Sequence, residues 1–238
     1  MLILTTLAAV VCSLWIRRHT WRSRWEAGAS LNIALQGCAV LLMSPCASAH
    51  LGPPLHHIFR RWNVEDLFAH ICLVVAVTAI IHHGLVRLNG DEQVRGLFRR
   101  QVEKPVRIGV PLLVATFVLA DEKYQPDLFV AHVRTFWFGA YWLVLGTMLV
   151  YLFLYAGRVL LILRKDPRST STANLYLASA AFGVTATVIQ VATAEVGVDI
   201  TLPAWLCACL GAIGFAYGSA RSWQAKVEWF AVDRNPSR

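Results

Sequence analysis

Charged residues are scarce in this sequence. Only 15% of its 238 residues are Asp, Glu, Lys or Arg, whereas 57% are hydrophobic. A typical soluble domain carries about 25% charged residues. The apolar residues also lie in long blocks with the charges between them, instead of recurring at the short period of a soluble core. Composition therefore excludes a separate soluble domain and predicts a polytopic membrane protein.

Motifs of common catalytic and metal sites are absent as well. The sequence contains no G-x-S-x-G, no H-E-x-x-H and no phosphate-binding G-x-x-x-x-G-K. Its six cysteines form no C-x-x-C pair and no disulfide framework. We therefore predict a protein that is not an enzyme and carries no cofactor. An intramembrane enzyme would instead need polar groups that converge within hydrogen-bonding distance.

Seven apolar segments account for most of the chain. They cover residues 1–16, 28–45, 64–86, 107–120, 135–157, 173–193 and 203–220. A backbone inside lipid must satisfy its own hydrogen bonds, so each segment is predicted to be a helix. The predicted fold is all-α, a seven-transmembrane-helix bundle over residues 1–220. A short amphipathic cytoplasmic tail follows at residues 221–238.

Basic residues orient this bundle. With the N-terminus outside, 18 of the 22 Lys and Arg residues fall on the inner side, whereas the 14 acidic residues divide equally. Because Lys and Arg mark cytoplasmic loops, this asymmetry explains the net charge of +8 without a nucleic-acid partner. The predicted location is the cytoplasmic (inner) membrane, with the C-terminus inside and the lipid bilayer as the principal partner.

The fourth segment is the weak point of this topology. Residues 108–120 would make a helix of about 20 Å, shorter than a hydrocarbon core of about 30 Å. They also contain Pro111. If this segment did not cross, the basic run from Arg158 to Arg168 would lie outside. The charge distribution therefore favours a crossing.

Polar residues within the apolar segments mark a candidate site, because such residues are costly in lipid and are often functional. Asn32 and Gln36 lie one helical turn apart, and so do Asp66 and His70. The full candidate set for a ligand or proton site is Asn32, Gln36, Glu65, Asp66, His70, His132, Gln190 and Glu195. Most of them belong to the outer half, so the pattern predicts an outward-facing polar vestibule.

Two other interpretations of this pattern stay open. Imidazole and carboxylate groups together suit zinc, although we predict no metal. More simply, Asp66 caps the start of its helix. In that case His50, His56 and His57 are solvated side chains of the loop between the second and third segments.

Three glycines in the seventh segment favour close helix packing. Gly214 and Gly218 form a G-x-x-x-G motif, and Gly211 lies about one turn earlier. Small residues at this spacing let two helices approach closely. Packing within the chain is the favoured use, and contact with a second copy or with another membrane protein is the alternative.

Several features are shared with a known family. They are the loop and helix start of residues 56–67, His70 within that helix, Phe117–Ala120 before an acidic loop with a proline, and Tyr141, Tyr151 and Tyr155. Residues 25–195 thereby resemble the membrane half of an actinobacterial family of seven-helix proteins, named only as candidate transporters. Members of that family continue into a cytosolic domain after the seventh helix. In this sequence the corresponding region is residues 221–238. The genes of family members often neighbour phage-like regulators, which raises an interaction role.

Two functions are therefore predicted. The first is a transporter-like or sensor-like membrane protein, which needs a cavity lined by groups such as Asn32, Gln36, His70 and Gln190. The alternative is a non-enzymatic membrane interaction protein, for example a phage- or prophage-type exclusion factor or a modulator of a host complex. That alternative predicts a tightly packed bundle without a cavity.

Overall fold

The computed structural model describes residues 1–23, 26–88, 91–120, 123–126, 135–196 and 200–233, which form helices joined by short turns. The helices are α1 (Leu2–Ile16), α2 (Ala27–Leu42), α3 (Pro45–Phe59), α4 (Val64–Leu88), α5 (Asp91–Phe98), α6 (Lys104–Ala120), α7 (Phe136–Leu163), α8 (Thr170–Val196) and α9 (Thr201–Asp233). A 3-10 turn precedes α2, and a π-helical turn joins α5 to α6. The prediction of an all-α fold is confirmed.

Four helices are long and apolar enough to cross a membrane: α4, α7, α8 and α9. The pair α2 and α3 also passes this test together, but the two are bent by 80° where they meet, so the number of crossing elements rises to five at most. Helix α1 is apolar but shorter. A bundle of apolar helices that can cross a membrane is thus present. The seven crossings and their orientation stay predictions.

The long helices pack side by side in the bundle. Helix α8 packs between α7 and α9, α4 packs against α2 and α7, and α1 lies against α2 and α9. Helix α6 packs on the outside of α7. Fully buried Val74, Tyr141, Leu152 and Phe215 mark the core where α4, α7 and α9 come together.

Helix α3 corrects the sequence analysis, which expected residues 46–63 to be a loop. Ser44 caps the helix by accepting a hydrogen bond from the amide of Ala47 at 3.2 Å, and Pro45 occupies the first turn, where its missing N–H is harmless. Arg60 ends the helix in a left-handed conformation with φ of 57°. The sharp bend after α2 makes this helix fold back over the bundle.

Helix α6 is longer than the apolar segment from which it was predicted. It begins at Lys104 and spans 17 residues, or about 25 Å. Pro111 lies inside it and is accommodated within the helix. Helix α9 likewise continues to Asp233 without a break, so residues 221–233 extend the last long helix.

The predicted glycine face of α9 packs against α8. A Cβ atom at Gly214 would lie 2.2 Å from Ser179 Oγ, and one at Gly211 would lie 3.2 Å from the Ser179 carbonyl oxygen. One at Gly218 would meet the Tyr176 ring at 3.0 Å. All three glycines therefore allow a close approach of two helices of the same chain.

Arg17, directly after α1, has the most extensive contacts at one end of the bundle. Its side chain is 1% exposed. Nη1 donates to the carbonyl oxygen of Ser219 at 2.8 Å, and Nε donates to Ser30 Oγ at 3.1 Å. Nη2 donates to Glu26 Oε2 at 3.0 Å. One guanidinium group therefore joins the end of α1 and the start of α2 to the middle of α9, and we call this end of the bundle the Glu26 end.

The Glu26 carboxylate is shared by three cations. Besides Arg17, Oε1 accepts hydrogen bonds from Arg87 of α4 at 3.3 Å and from Lys226 of α9. Burial of the carboxyl opposes ionisation, but the hydrogen bond and charge of Lys226, with the hydrogen bond of Arg17, outweigh burial and lower the pKa of Glu26 to about 2. The ionised carboxylate thus links four helices.

Replacing this carboxylate should destabilise the bundle. Glu26→Gln leaves three cations close together without a counter-charge, and we expect a loss of about 3 kcal/mol in the free energy of unfolding, measured in detergent micelles at neutral pH. Glu103→Gln is the matched control, because Glu103 is 41% exposed in its pair with Arg107 and should change stability by less than about 0.5 kcal/mol.

The same substitution should alter the pH dependence of stability. Because folding lowers the pKa of Glu26 from 4.5 to about 2, its contribution is complete above pH 4.5 and is lost as the pH falls towards 2. The difference in stability between wild type and Glu26→Gln should therefore shrink over that interval. A difference that stays constant from pH 7 to pH 2 would contradict this role.

Candidate functional site

A cavity lies inside the bundle among α2, α4, α7, α8 and α9, and we call it the central cavity. Its lining residues with a polar side-chain group are Gln36, His70, Trp142, Ser179, Thr187, Gln190 and Trp205. His70, Trp142 and Gln190 each lie six residues from an end of their own helix, about 9 Å along its axis. Three of the residues singled out from sequence, Gln36, His70 and Gln190, thus line one space.

The size and lining of the central cavity suit a small solute. Its volume is about 90 Å³. A water molecule needs about 10–15 Å³ measured in this way, so several waters or one small organic molecule would fit. Most of the remaining lining is apolar, with Val77, Leu145 and Phe153 among its members. A few hydrogen-bonding groups in an apolar wall are typical of small-molecule sites.

His70 is held in place by aromatic residues of α7. Its ring nitrogen Nδ1 lies 2.5 Å from the Tyr141 hydroxyl, which donates when Nδ1 carries no proton. The Trp142 ring packs edge-on against the imidazole at a centroid distance of 5.4 Å. His70 is only 2% exposed. Because Tyr141 occupies Nδ1, Nε2 is the ring nitrogen left for a molecule in the cavity.

Trp142 adds a hydrogen-bond donor to the same wall. Its side chain is 2% exposed, and the indole Nε1–H has no acceptor within the described part of the chain. Buried donors are normally paired, so an unpaired one beside a cavity points to a partner inside that cavity. Water or the polar group of a solute would satisfy it.

Asn32 supports Gln36 from one turn earlier on α2. Gln36 Nε2 donates to Asn32 Oδ1 at 2.9 Å, and both side chains are buried. The hydrogen bond fixes the orientation of the Gln36 amide at the cavity wall. Asn32 therefore positions a lining residue, whereas Gln36 itself lines the cavity.

Glu65 lies beneath α3, at the opposite end of the bundle from Glu26, which we call the Glu65 end. Oε1 accepts a hydrogen bond from Ser48 Oγ of α3 at 2.9 Å. Oε2 is buried and has no partner among the described residues. Asp66 beside it is 3% exposed. The carboxyl groups of Glu65 and Asp66, two of the three predicted for the vestibule, are therefore buried.

Residues 123–126 complete the cover at the Glu65 end. Asn63 Nδ2 donates to the carbonyl oxygen of Lys123 at 3.1 Å, and the amide of Gln125 donates to Asn63 Oδ1 at 3.0 Å. The Trp62 ring stacks on His56 of α3 at 3.9 Å and packs edge-on against Tyr124 at 5.1 Å. A layer of hydrogen bonds and rings thus connects α3 to the start of α4.

Two candidate residues are not placed by the structure. His132 lies outside the described residues, and so does the side chain of Glu195. Among the residues that are described, no three His, Cys, Asp or Glu side chains are close enough together to hold a metal ion.

Sequence reasoning missed the two aromatic residues that hold His70. Tyr141 and Trp142 lie in an almost wholly apolar segment, but both carry a polar tip that needs a partner when buried. Their position, five and six residues into α7, matches the depth of His70 in α4. Counting residues from the start of each predicted helix would have identified Tyr141 and Trp142 as residues at the same depth as His70.

Comparison with known proteins gives no relative for this chain. No protein-family model, no curated protein and no solved structure matches it. The candidate site therefore rests on its own geometry.

Removing the Tyr141 hydroxyl should leave buried Nδ1 of His70 without its partner. We expect Tyr141→Phe to lower the free energy of unfolding by about 1–3 kcal/mol. Tyr151→Phe is the control, since its exposed hydroxyl donates to the Gln101 carbonyl oxygen and its loss should matter little. Denaturation of both variants in detergent tests this, and equal losses would refute the special role of Tyr141.

Proposed function

We propose that this protein is an integral membrane protein of transporter-like or sensor-like type that binds a small solute in the central cavity. The proposal depends on one observation: Gln36, His70 and Gln190 come from three different helices, yet they line one cavity. A solute with a compact apolar body and one hydrogen-bonding group matches its size and lining. His70 Nε2 and the Trp142 indole N–H would bind the polar group.

The exposed surface supports the membrane part of this proposal. On α9, Leu206, Leu210 and Tyr217 share one face and are 40%, 44% and 57% exposed. A water-soluble bundle rarely shows a continuous apolar face along a long helix. Lipid would cover this face without cost.

The charge distribution supports a topology of seven crossings by α1, α2, α4, α6, α7, α8 and α9, with α3 bent over the end of α2. In this arrangement the basic Glu26 end is cytoplasmic and the Glu65 end is outside. The N-terminus is then outside and the C-terminus inside, in the cytoplasmic membrane.

Membership of the actinobacterial family of candidate transporters rests on the resemblance alone. The interaction role, as an exclusion factor or a modulator of a host complex, stays the alternative, because a cavity with a few hydrogen-bonding groups in an apolar wall favours binding of a solute. Helix α8 covers the three glycines of α9. A contact with a second copy or with another membrane protein would therefore have to use a different face.

Filling the central cavity should abolish solute binding. Ala186 of α8 lines the cavity, whereas Ala181 on the same helix is exposed. We expect small neutral amides, alcohols or azoles that raise the melting temperature of the wild type to lose this effect in Ala186→Leu and to keep it in Ala181→Leu. Stabilisation that survives in Ala186→Leu would place the binding elsewhere.

Accessibility of single cysteines tests the topology. In a cysteine-free background, Lys123→Cys should react with a membrane-impermeant maleimide in intact cells. Lys165→Cys, in the turn between α7 and α8, should react only after the membrane is opened. Labelling of residue 165 in intact cells would overturn the seven-crossing topology.

A further inference from the structure

A second cavity lies at the Glu26 end, and we call it the basic cavity. Its volume is about 750 Å³, and three basic side chains, Arg87, Arg168 and Lys226, line it. Glu26 is the one acidic residue of its described lining. The central cavity shares no lining residue with it, so it is a separate site.

The basic cavity has more positive than negative charge. Glu26 already interacts with Arg17, Arg87 and Lys226. The Asp166 carboxylate, just before α8, accepts hydrogen bonds from the Arg168 amide at 3.1 Å and from Ser169 Oγ at 2.9 Å. The single Glu26 carboxylate thus faces three cations, Arg17, Arg87 and Lys226, and an anion in the cavity would offset part of their excess positive charge.

Donors of the basic cavity also remain available. Within the described residues Arg87 makes one hydrogen bond, from Nη2 to Glu26, although a guanidinium group has five N–H donors. Lys226 likewise makes one of the three that an ammonium group can donate. The side chains of Arg87 and Lys226 are 24% and 38% exposed, so these donors face accessible space.

The first turn of α8 forms part of the same wall. Ser169 and Thr172 line the basic cavity at the start of this 27-residue helix. The amino-terminal end of a helix carries partial positive charge and unpaired amides, which favour an anion. Ser222 of α9 adds a hydroxyl from the opposite side.

Buried His83 lies next to the basic cavity but does not line it. It lines a smaller cavity of about 20 Å³ that shares Arg87, Ser169 and Thr172 with the basic cavity. His83 is 5% exposed, and its Nδ1 has no hydrogen-bond partner among the described residues. The proposal for the basic cavity therefore depends on the basic side chains and hydroxyl groups that line it, and not on His83.

We propose that the basic cavity binds a phosphate group. Phosphate offers several acceptor oxygens and matches the fork of an arginine, so it can bridge Arg87, Arg168 and Lys226 at once. Trp223 lines the cavity too, and tryptophan favours the membrane–water interface. The phosphate belongs either to the head group of an anionic lipid or to a soluble phosphate compound, and this site is independent of the solute site in the central cavity.

Binding of inorganic phosphate and of phosphatidylglycerol tests this proposal. The full chain in neutral detergent is titrated with phosphate at constant ionic strength, with chloride as reference, and separately with mixed micelles that contain phosphatidylglycerol or phosphatidylcholine. Melting temperature and tryptophan fluorescence report binding. Saturable binding of phosphate identifies a soluble ligand, and binding of phosphatidylglycerol without phosphate identifies a lipid. Either result supports the proposed phosphate site.

Matched variants locate the binding. Arg168→Gln should weaken it about five- to tenfold, because a charge-assisted contact is lost. Arg164→Gln, an equally basic and exposed position outside the cavity, should leave it unchanged. Ala225→Trp fills the cavity at an exposed position, keeps every charge and should weaken binding as well. No effect of either phosphate source beyond its reference, or equal weakening in Arg168→Gln and Arg164→Gln, would overturn the proposal.

Discussion

The buried Glu26 carboxylate is the interaction on which the arrangement of the helices depends. It binds Arg17 after α1, Arg87 of α4 and Lys226 of α9, while Glu26 itself immediately precedes α2. Buried charge is costly unless each group is paired, so these helices can meet here in only one register. Arg17 strengthens this constraint with a further bond to the backbone of Ser219. The ends of α1, α2, α4 and α9 are therefore fixed relative to one another.

A fixed Glu26 end determines where the polar groups along the helices meet. With the registers of α2 and α4 set, Gln36 and His70 line one space, and α7 brings Tyr141 and Trp142 against the imidazole. Apolar side chains fill most of the remaining interior, so the few polar groups in the wall are concentrated in a small volume. At the far end, α3 covers Glu65, whose carboxylate accepts a hydrogen bond from Ser48. The bundle thus combines a charged end joined by ion pairs, a small interior cavity with a few polar groups in an apolar wall, and an opposite end covered by α3.

Helical structure could be predicted from the sequence because long apolar blocks in lipid have no other way to satisfy their backbone. The long-range contacts could not. Glu26 and Lys226 are 200 residues apart, and nothing local to either residue marks the other. Helix α3 was missed because its sequence is only moderately apolar and holds Pro53 and Pro54, which usually break helices. Gln36, His70 and Gln190 were recognised by their polarity, but only the packing shows that they share a cavity.

The central claim is that the cavity beside His70 holds water or solute inside a membrane-embedded bundle. A cryo-electron-microscopy map of the protein in a lipid nanodisc, at a resolution that shows ordered water, tests it most directly. The claim predicts density within hydrogen-bonding distance of His70 Nε2 and the Trp142 indole nitrogen, with the lipid belt around the outer faces of α7, α8 and α9. A collapsed interior, with apolar side chains packed against His70 and no density between them, would contradict it.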